Sequence, residues 1–261
     1  MDNKIDDNYI LQAAKELINT LGVKKPIQEI EIINHIRSGK IQEAIEQIAR
    51  YLGLPVRINI SFVPKGYKSS RKSGFESSQL SRTDSEGRGL NSIVAQVSIP
   101  KNMPLYGTRE LDNLPINVVI SEDCNKEPIA FMAIMAHELS HLVLYSLWHK
   151  EKENEFYTDL TAMVLGFNEV MAKGRKVVTQ TRTGNVVQTL TITYGYLSDE
   201  QFVLAQGEIR GLLETATKLT NRHSKKVDMC KSQMSSFSRL LNKRHFLRTS
   251  IFHDSLETFS A

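Results

Sequence analysis

The residues best suited to chemistry in this chain lie in His137-Glu138-Leu139-Ser140-His141. Two histidines four apart fall on one face of a helix, one turn from each other. Neutral imidazole is a good ligand for Zn²⁺, and this spacing lets both rings reach one ion. Glu138 follows the first histidine on the same side. There it can face a water on that ion and act as a general base. Three fixed residues of ordinary frequency also arise by chance, so the competing explanation is a helix with two satisfied histidines and a surface glutamate.

A second acidic pair stands downstream in Glu155-Phe156-Tyr157-Thr158-Asp159. If the two segments form an antiparallel helical hairpin around Trp148, residues with equal index sums lie level. His141 then faces Glu155, and His137 faces Asp159. In that arrangement Glu155 is a third ligand and Asp159 accepts the other ring N–H of His137, the contact that fixes its tautomer. In the alternative, Asp159 is the ligand, and its neighbour one turn on, Met163, cannot orient a histidine. Without the upstream motif, both acids read as exposed charges near a helix N-terminus, where acids are favoured.

These side chains need two rigid elements. Pro128 suits a first helical turn, where its missing N–H costs nothing. The run from Ile129 to Ala136, with Leu142-Val143-Leu144 beyond the motif, is apolar on nearly all sides. That predicts a buried central helix, too short and too interrupted for a membrane span. The second helix opens at Glu155 and continues through Leu160, Met163, Val164 and Phe167, with a short connection near His149-Lys150-Glu151.

H-E-x-x-H followed by E-x-x-x-D resembles the gluzincin group of zinc metallopeptidases, over residues 93–170 and through His137, Glu138, His141, Glu155 and Asp159. The chain looks most like compact members of the ImmA/IrrE type. The step from His141 to Glu155 is short for the group, so the turn between the helices must be tight. The resemblance implies an α+β, zincin-like domain: a small mixed sheet, and the motif helix packed antiparallel to the second helix. It implies one Zn²⁺ per chain and peptide-bond hydrolysis, with Glu138 as catalytic base and a peptide or protein as substrate. An oxyanion stabiliser is expected among Tyr157, His149, Tyr194, Tyr196 and His223. A strand beside the metal helix, with 93–99 as candidate, is expected to pair with extended substrate backbone. The rival reading is a catalytically quiet protein that uses the same site to hold a binding fold; an intact Glu138 argues against it. Hydrolysis of a non-peptide amide is a third option.

Hydrophobic content of 41% and charged content of 24% are ordinary for a globular chain. The N-terminus lacks a signal-peptide pattern, and only Cys124 and Cys230 occur. Both observations fit a reducing cytoplasm, and two cysteines so far apart in sequence argue against a disulfide scaffold or a cysteine-based zinc site. The net charge of +4 is uneven: residues 222–261 hold eight Lys/Arg against three acids, a net of +5, so the remainder is near −1. The basic stretch, over 222–248, offers a contact for nucleic acid or an acidic partner, or else a solvated helix face.

The chain therefore divides into a domain over 1–221 and a basic, helical extension over 222–261. Residues 1–52 form a helical lead-in with stops at Gly22 and Gly53. Strands are expected over 56–62, 93–99 and 116–120, with a long Ser-, Gly- and Lys/Arg-rich loop over 64–89. Residues 176–194 form a hairpin about Gly184-Asn185. Ser198-Asp199-Glu200-Gln201 fits a capping box that opens a further helix.

Overall fold

The computed structural model describes residues 6–64, 67, 75–76, 94–183 and 186–215. The chain divides into two compact units, Met1–Gly211 and Leu212–Ala261. Apart from helical residues 212–215, the second unit, and with it the basic stretch and His223, lies outside the described residues.

Three helices open the first unit: α1 (Asp7–Leu21), α2 (Glu29–Arg37) and α3 (Ile41–Tyr51). The Asp6 side chain caps α1 by accepting the Asn8 N–H, and Gly22 ends it with an N–H donated to Ile18 O. The apolar residues at helical spacing are the buried ones, Ile10, Ala13, Ala14 and Leu17 on α1 and Ile41, Ala44, Ile45, Ile48 and Ala49 on α3. The lead-in does more than cover the sheet. α3 packs on the first strand, whereas α1 packs on the helix that carries Glu155.

The sheet contains β1 (Arg57–Val63), β2 (Phe75–Glu76), β3 (Ala95–Ile99) and β4 (Pro115–Ser121), in the order β1-β4-β3-β2. β1 runs parallel to β4, with Arg57 opposite Pro115, and β3 is antiparallel to both of its neighbours. On β4, Ile116, Val118 and Ile120 alternate into the core, as one pleated face requires. Two expectations change here. The stretch 64–89 is not loop throughout, because Phe75 and Glu76 form a strand. The outer side of β3 is taken by that strand at Ser98 and Ile99, so β3 is not an open edge along its whole length.

Behind the sheet lies α4 (Pro128–Ser146), which packs on β3 and on α3. Every residue from Ala130 to Leu144 is buried. Each large apolar side chain so placed contributes about 1.5–3 kcal/mol. Ser140 offsets the burial of its hydroxyl by donating to Ala136 O at 2.7 Å, and the Tyr106 N–H closes the helix end at Ser146 O. At 19 residues α4 is long and apolar enough to cross a membrane on length and composition, contrary to the sequence reading. Its apolar surface is instead covered within the protein, which buries 89% of that stretch.

An eight-residue connection leads to α5 (Glu155–Ala162). A wide turn follows at Met163–Phe167, then α6 (Asn168–Gly174). Gly166 breaks the helical path with φ 103°, and a Cβ there would sit 2.6 Å from Lys25 O. Only glycine meets both demands. β5 (Lys176–Thr183) and β6 (Val186–Thr193) form a separate antiparallel pair, with Thr183 opposite Val186; the turn expected at Gly184-Asn185 lies outside the described residues. The chain then passes through 194–198 into a helix beginning at residue 199. There the Ser198 and Gln201 side chains exchange bonds with each other's backbone N–H, a capping box. The architecture is mixed α+β.

Candidate metal centre

α4 and α5 lie side by side, and their packing sets the site. His137, Glu138 and His141 come from the middle of α4, with relative exposures of 1%, 0% and 2%. Glu155 is the first residue of α5, fixed there by Asn154, whose side-chain oxygen accepts the Phe156 N–H at 3.1 Å. Glu155 Oε2 approaches His137 Nε2 to 3.1 Å and His141 Nε2 to 3.5 Å. For a tetrahedral ion with ligand distances of ~2.0–2.1 Å, neighbouring ligand atoms lie about 3.3 Å apart. The observed spacings bracket that value.

Both histidines are held from the other ring nitrogen. His137 Nδ1 lies 2.7 Å from Asp159 Oδ1, and a carboxylate oxygen can only accept, so Nδ1 carries the proton. Thr158 Oγ1 lies 3.4 Å from His141 Nδ1 and donates its own proton to Asn154 O. Its lone pair therefore faces a His141 N–H. Both rings thus turn an unprotonated Nε2 toward Glu155 whenever they are neutral. Apart from one another, neither Nε2 and neither oxygen of Glu155 has a hydrogen-bond partner among the described residues. Buried polar atoms left this way are costly. Two imidazole nitrogens and a carboxylate oxygen that converge and lack other partners fit a divalent transition ion. His137, His141 and Glu155 form a group that could hold a metal ion, with all ligand atoms within 4.8 Å of one another.

The charges respond to this packing. Burial works against a charged His137, but contact with Asp159 and Glu155 outweighs it and raises the ring to about 10. Burial pushes His141 down, helped by the neighbouring His137 charge. Burial would raise Glu155, yet the two imidazoles hold it well below the usual carboxylate range. Without metal, the site carries its proton on His137.

Asp159 is anchored in turn. Its Oδ2 accepts the backbone N–H groups of Tyr196 (2.7 Å) and Leu197 (3.2 Å). Gly195 permits this approach. Its φ is 88°, and a Cβ would stand 3.1 Å from Asp159 Oδ2. The Tyr196 ring stacks on His137, centroids 5.6 Å apart.

The juxtaposition expected from index sums is present, with one refinement: Glu155 faces both histidines rather than His141 alone. Of the residues named for an oxyanion, Tyr196 lies beside the site. Tyr157 and His149 turn to Glu16 on α1, at 2.8 and 3.5 Å. The Tyr194 ring is buried, and its N–H binds Arg175 O. Sequence reasoning missed Thr158 and the Gly195–Leu197 segment. Thr158 sits one helical turn after Glu155, the residue level with His141, and was legible in principle from that spacing. The segment reaches the site only through tertiary folding and carries no motif.

Comparison with protein-family models, with curated proteins and with solved structures returned no match for this chain.

Proposed function

We propose that this chain is a zinc-dependent metallopeptidase of the gluzincin type, built on a zincin-like domain and similar to compact ImmA/IrrE-like members. Its substrate is a peptide or protein in the cytoplasm. The reading rests on one observation: His137 Nε2 and His141 Nε2, on the buried helix that also carries Glu138, converge with Glu155 Oε2 from the neighbouring helix. A purely structural zinc site has no use for a general base and is closed by a fourth protein ligand.

His137, His141 and Glu155 would hold the ion. When bound, zinc acts as a Lewis acid toward a carbonyl and makes water a stronger acid. Asp159 and Thr158 keep the two rings in the tautomer that directs Nε2 inward. Glu138 takes the proton from the attacking water and delivers it to the leaving amine nitrogen. The buried surroundings strengthen each of these charge interactions.

Elemental analysis of purified wild type and His141→Ala, together with a peptide-library digest by wild type and Glu138→Ala, tests the reading. It predicts about one zinc per wild-type chain, lost in His141→Ala. It also predicts cleavage that falls by about 10²–10⁴ in Glu138→Ala while zinc is retained. A wild-type chain that binds no zinc after reconstitution refutes it. Zinc bound with no hydrolysis of any peptide favours the quiet binding protein.

A further inference from the structure

Arg175 lies between α6 and β5, far in sequence from the histidines, and is 8% exposed. A buried guanidinium must place its donors. Its Nη2 donates to Leu197 O, and its Nη1 lies 3.4 Å from Ser198 O. Asp199 Oδ1 stands 3.4 Å from Nη2, and the guanidinium sits 4.6 Å over the Phe202 ring. The backbone of Arg175 takes part as well, because its carbonyl accepts the Tyr194 N–H at 2.7 Å. One residue thus binds the 194–202 stretch from both ends.

The same stretch supplies the two N–H groups that hold Asp159. Leu197 is the link, since its carbonyl accepts from Arg175 and its N–H donates to Asp159 Oδ2. The path is continuous: guanidinium, Leu197 backbone, Asp159 carboxylate, His137 ring. All of its members are buried, and the hydrogen bonds at each step fix direction as well as distance. A β-hairpin departs from one end of this clamp and returns at the other, so Arg175 also closes the hairpin's base.

Resting on the zinc reading above, we infer that Arg175 is a positioning residue for the metal centre, acting on His137 through Leu197 and Asp159. Partners one step beyond the ligands are worth ~10-fold or more in metal affinity, and Arg175 is placed to set the geometry of such a partner.

Zinc affinity of the full chain, by competition with a chromophoric chelator, and the visible spectrum of the Co²⁺-substituted protein test the inference. The set is wild type, Arg175→Ala, Arg175→Lys, Asp159→Asn and the Arg175→Ala/Asp159→Asn pair. Arg175→Ala is expected to weaken zinc ~10-fold and to alter the Co²⁺ bands. Arg175→Lys keeps the charge without the planar fork and recovers part of the loss. In the Asp159→Asn background the alanine change adds nothing further, because both act on one path. Gly195→Ala, which crowds Asp159, is expected to give the same direction of spectral change, and Arg175→Lys, read by the same two measurements, decides the inference if Arg175→Ala fails to fold. Affinity within twofold of wild type in Arg175→Ala, or an equal loss in both backgrounds, overturns the inference while leaving the zinc reading intact. Absence of metal binding by wild type overturns both.

Discussion

At the scale of single residues, the site distinguishes atoms that could hold an ion from atoms that aim them. Glu155 turns its oxygens to the two histidines and to no other group among the described residues, whereas both oxygens of Asp159 are engaged by His137 and by the backbone of Tyr196 and Leu197. Glu155→Ala is therefore expected to abolish stoichiometric zinc binding, while Asp159→Ala weakens it by roughly 10–100-fold. Elemental analysis after dialysis separates the two, and the reverse order would make Asp159 the ligand. His137 carries a proton in the metal-free site, with its affinity raised to about 10. A raised histidine stabilises the metal-free fold fully below its unfolded value and loses that contribution as pH climbs through the folded one. A bound ion would displace this proton, so zinc affinity is expected to fall as pH drops below about 10, with proton release on binding at neutral pH. Calorimetry in buffers of differing ionisation enthalpy reads that release directly, and a buffer-independent heat would contradict it.

At the scale of elements, much of the arrangement is legible in the sequence, and the reason is periodicity. The apolar stripes of α1 and α3, the apolar runs of α4 on either side of the motif, the pairing of β5 with β6 and the capping box at Ser198 each follow from local pattern. Level pairing of His137 with Asp159 follows from the antiparallel hairpin alone. Strand β2 was not legible, because two residues have no period. Nor was the break at Gly166, where Met163 to Phe167 continue an apolar pattern while the backbone departs from it. Gly166→Ala is expected to cost of order 1–3 kcal/mol, since the new Cβ meets Lys25 O and the backbone must hold φ 103°. Asn154→Ala uncaps α5 and is expected to cost ~1 kcal/mol. The first turn of α5 carries Glu155, so zinc affinity should fall with it. Denaturant titrations with and without zinc measure both effects, and an unchanged midpoint would show that the cap is replaceable.

Across the whole molecule, a polar cluster ties α1 to the site-bearing helices. Glu16 on α1 accepts from Tyr157 at 2.8 Å and stands 3.3 and 3.5 Å from Lys150 and His149. The Tyr157 hydroxyl, with Lys150 and His149, lowers the Glu16 carboxyl. A depressed carboxyl contributes stability above its unfolded value and loses it as pH falls through the folded one. Glu16→Gln should therefore lower the thermal midpoint modestly at neutral pH, where the contribution is fully present, and flatten the acid limb of the stability profile below about pH 4.5. An unchanged acid limb would assign acid sensitivity elsewhere. The basic stretch at 222–261 had to be read from composition alone. Its net +5 predicts that deletion lowers salt-sensitive binding to polyanions.

Parallel pairing of β1 with β4 joins residues 58 positions apart, whereas His137 and Asp159 are separated by 22. Loop closure favours the shorter span by about 0.9 kcal/mol. The helical hairpin can thus bring its donor atoms together while the sheet is still open. Folding order is the consequence. Pulsed hydrogen exchange should find amides of α4 and α5 protected before those of β1, and zinc present from the start should advance only the helical phase.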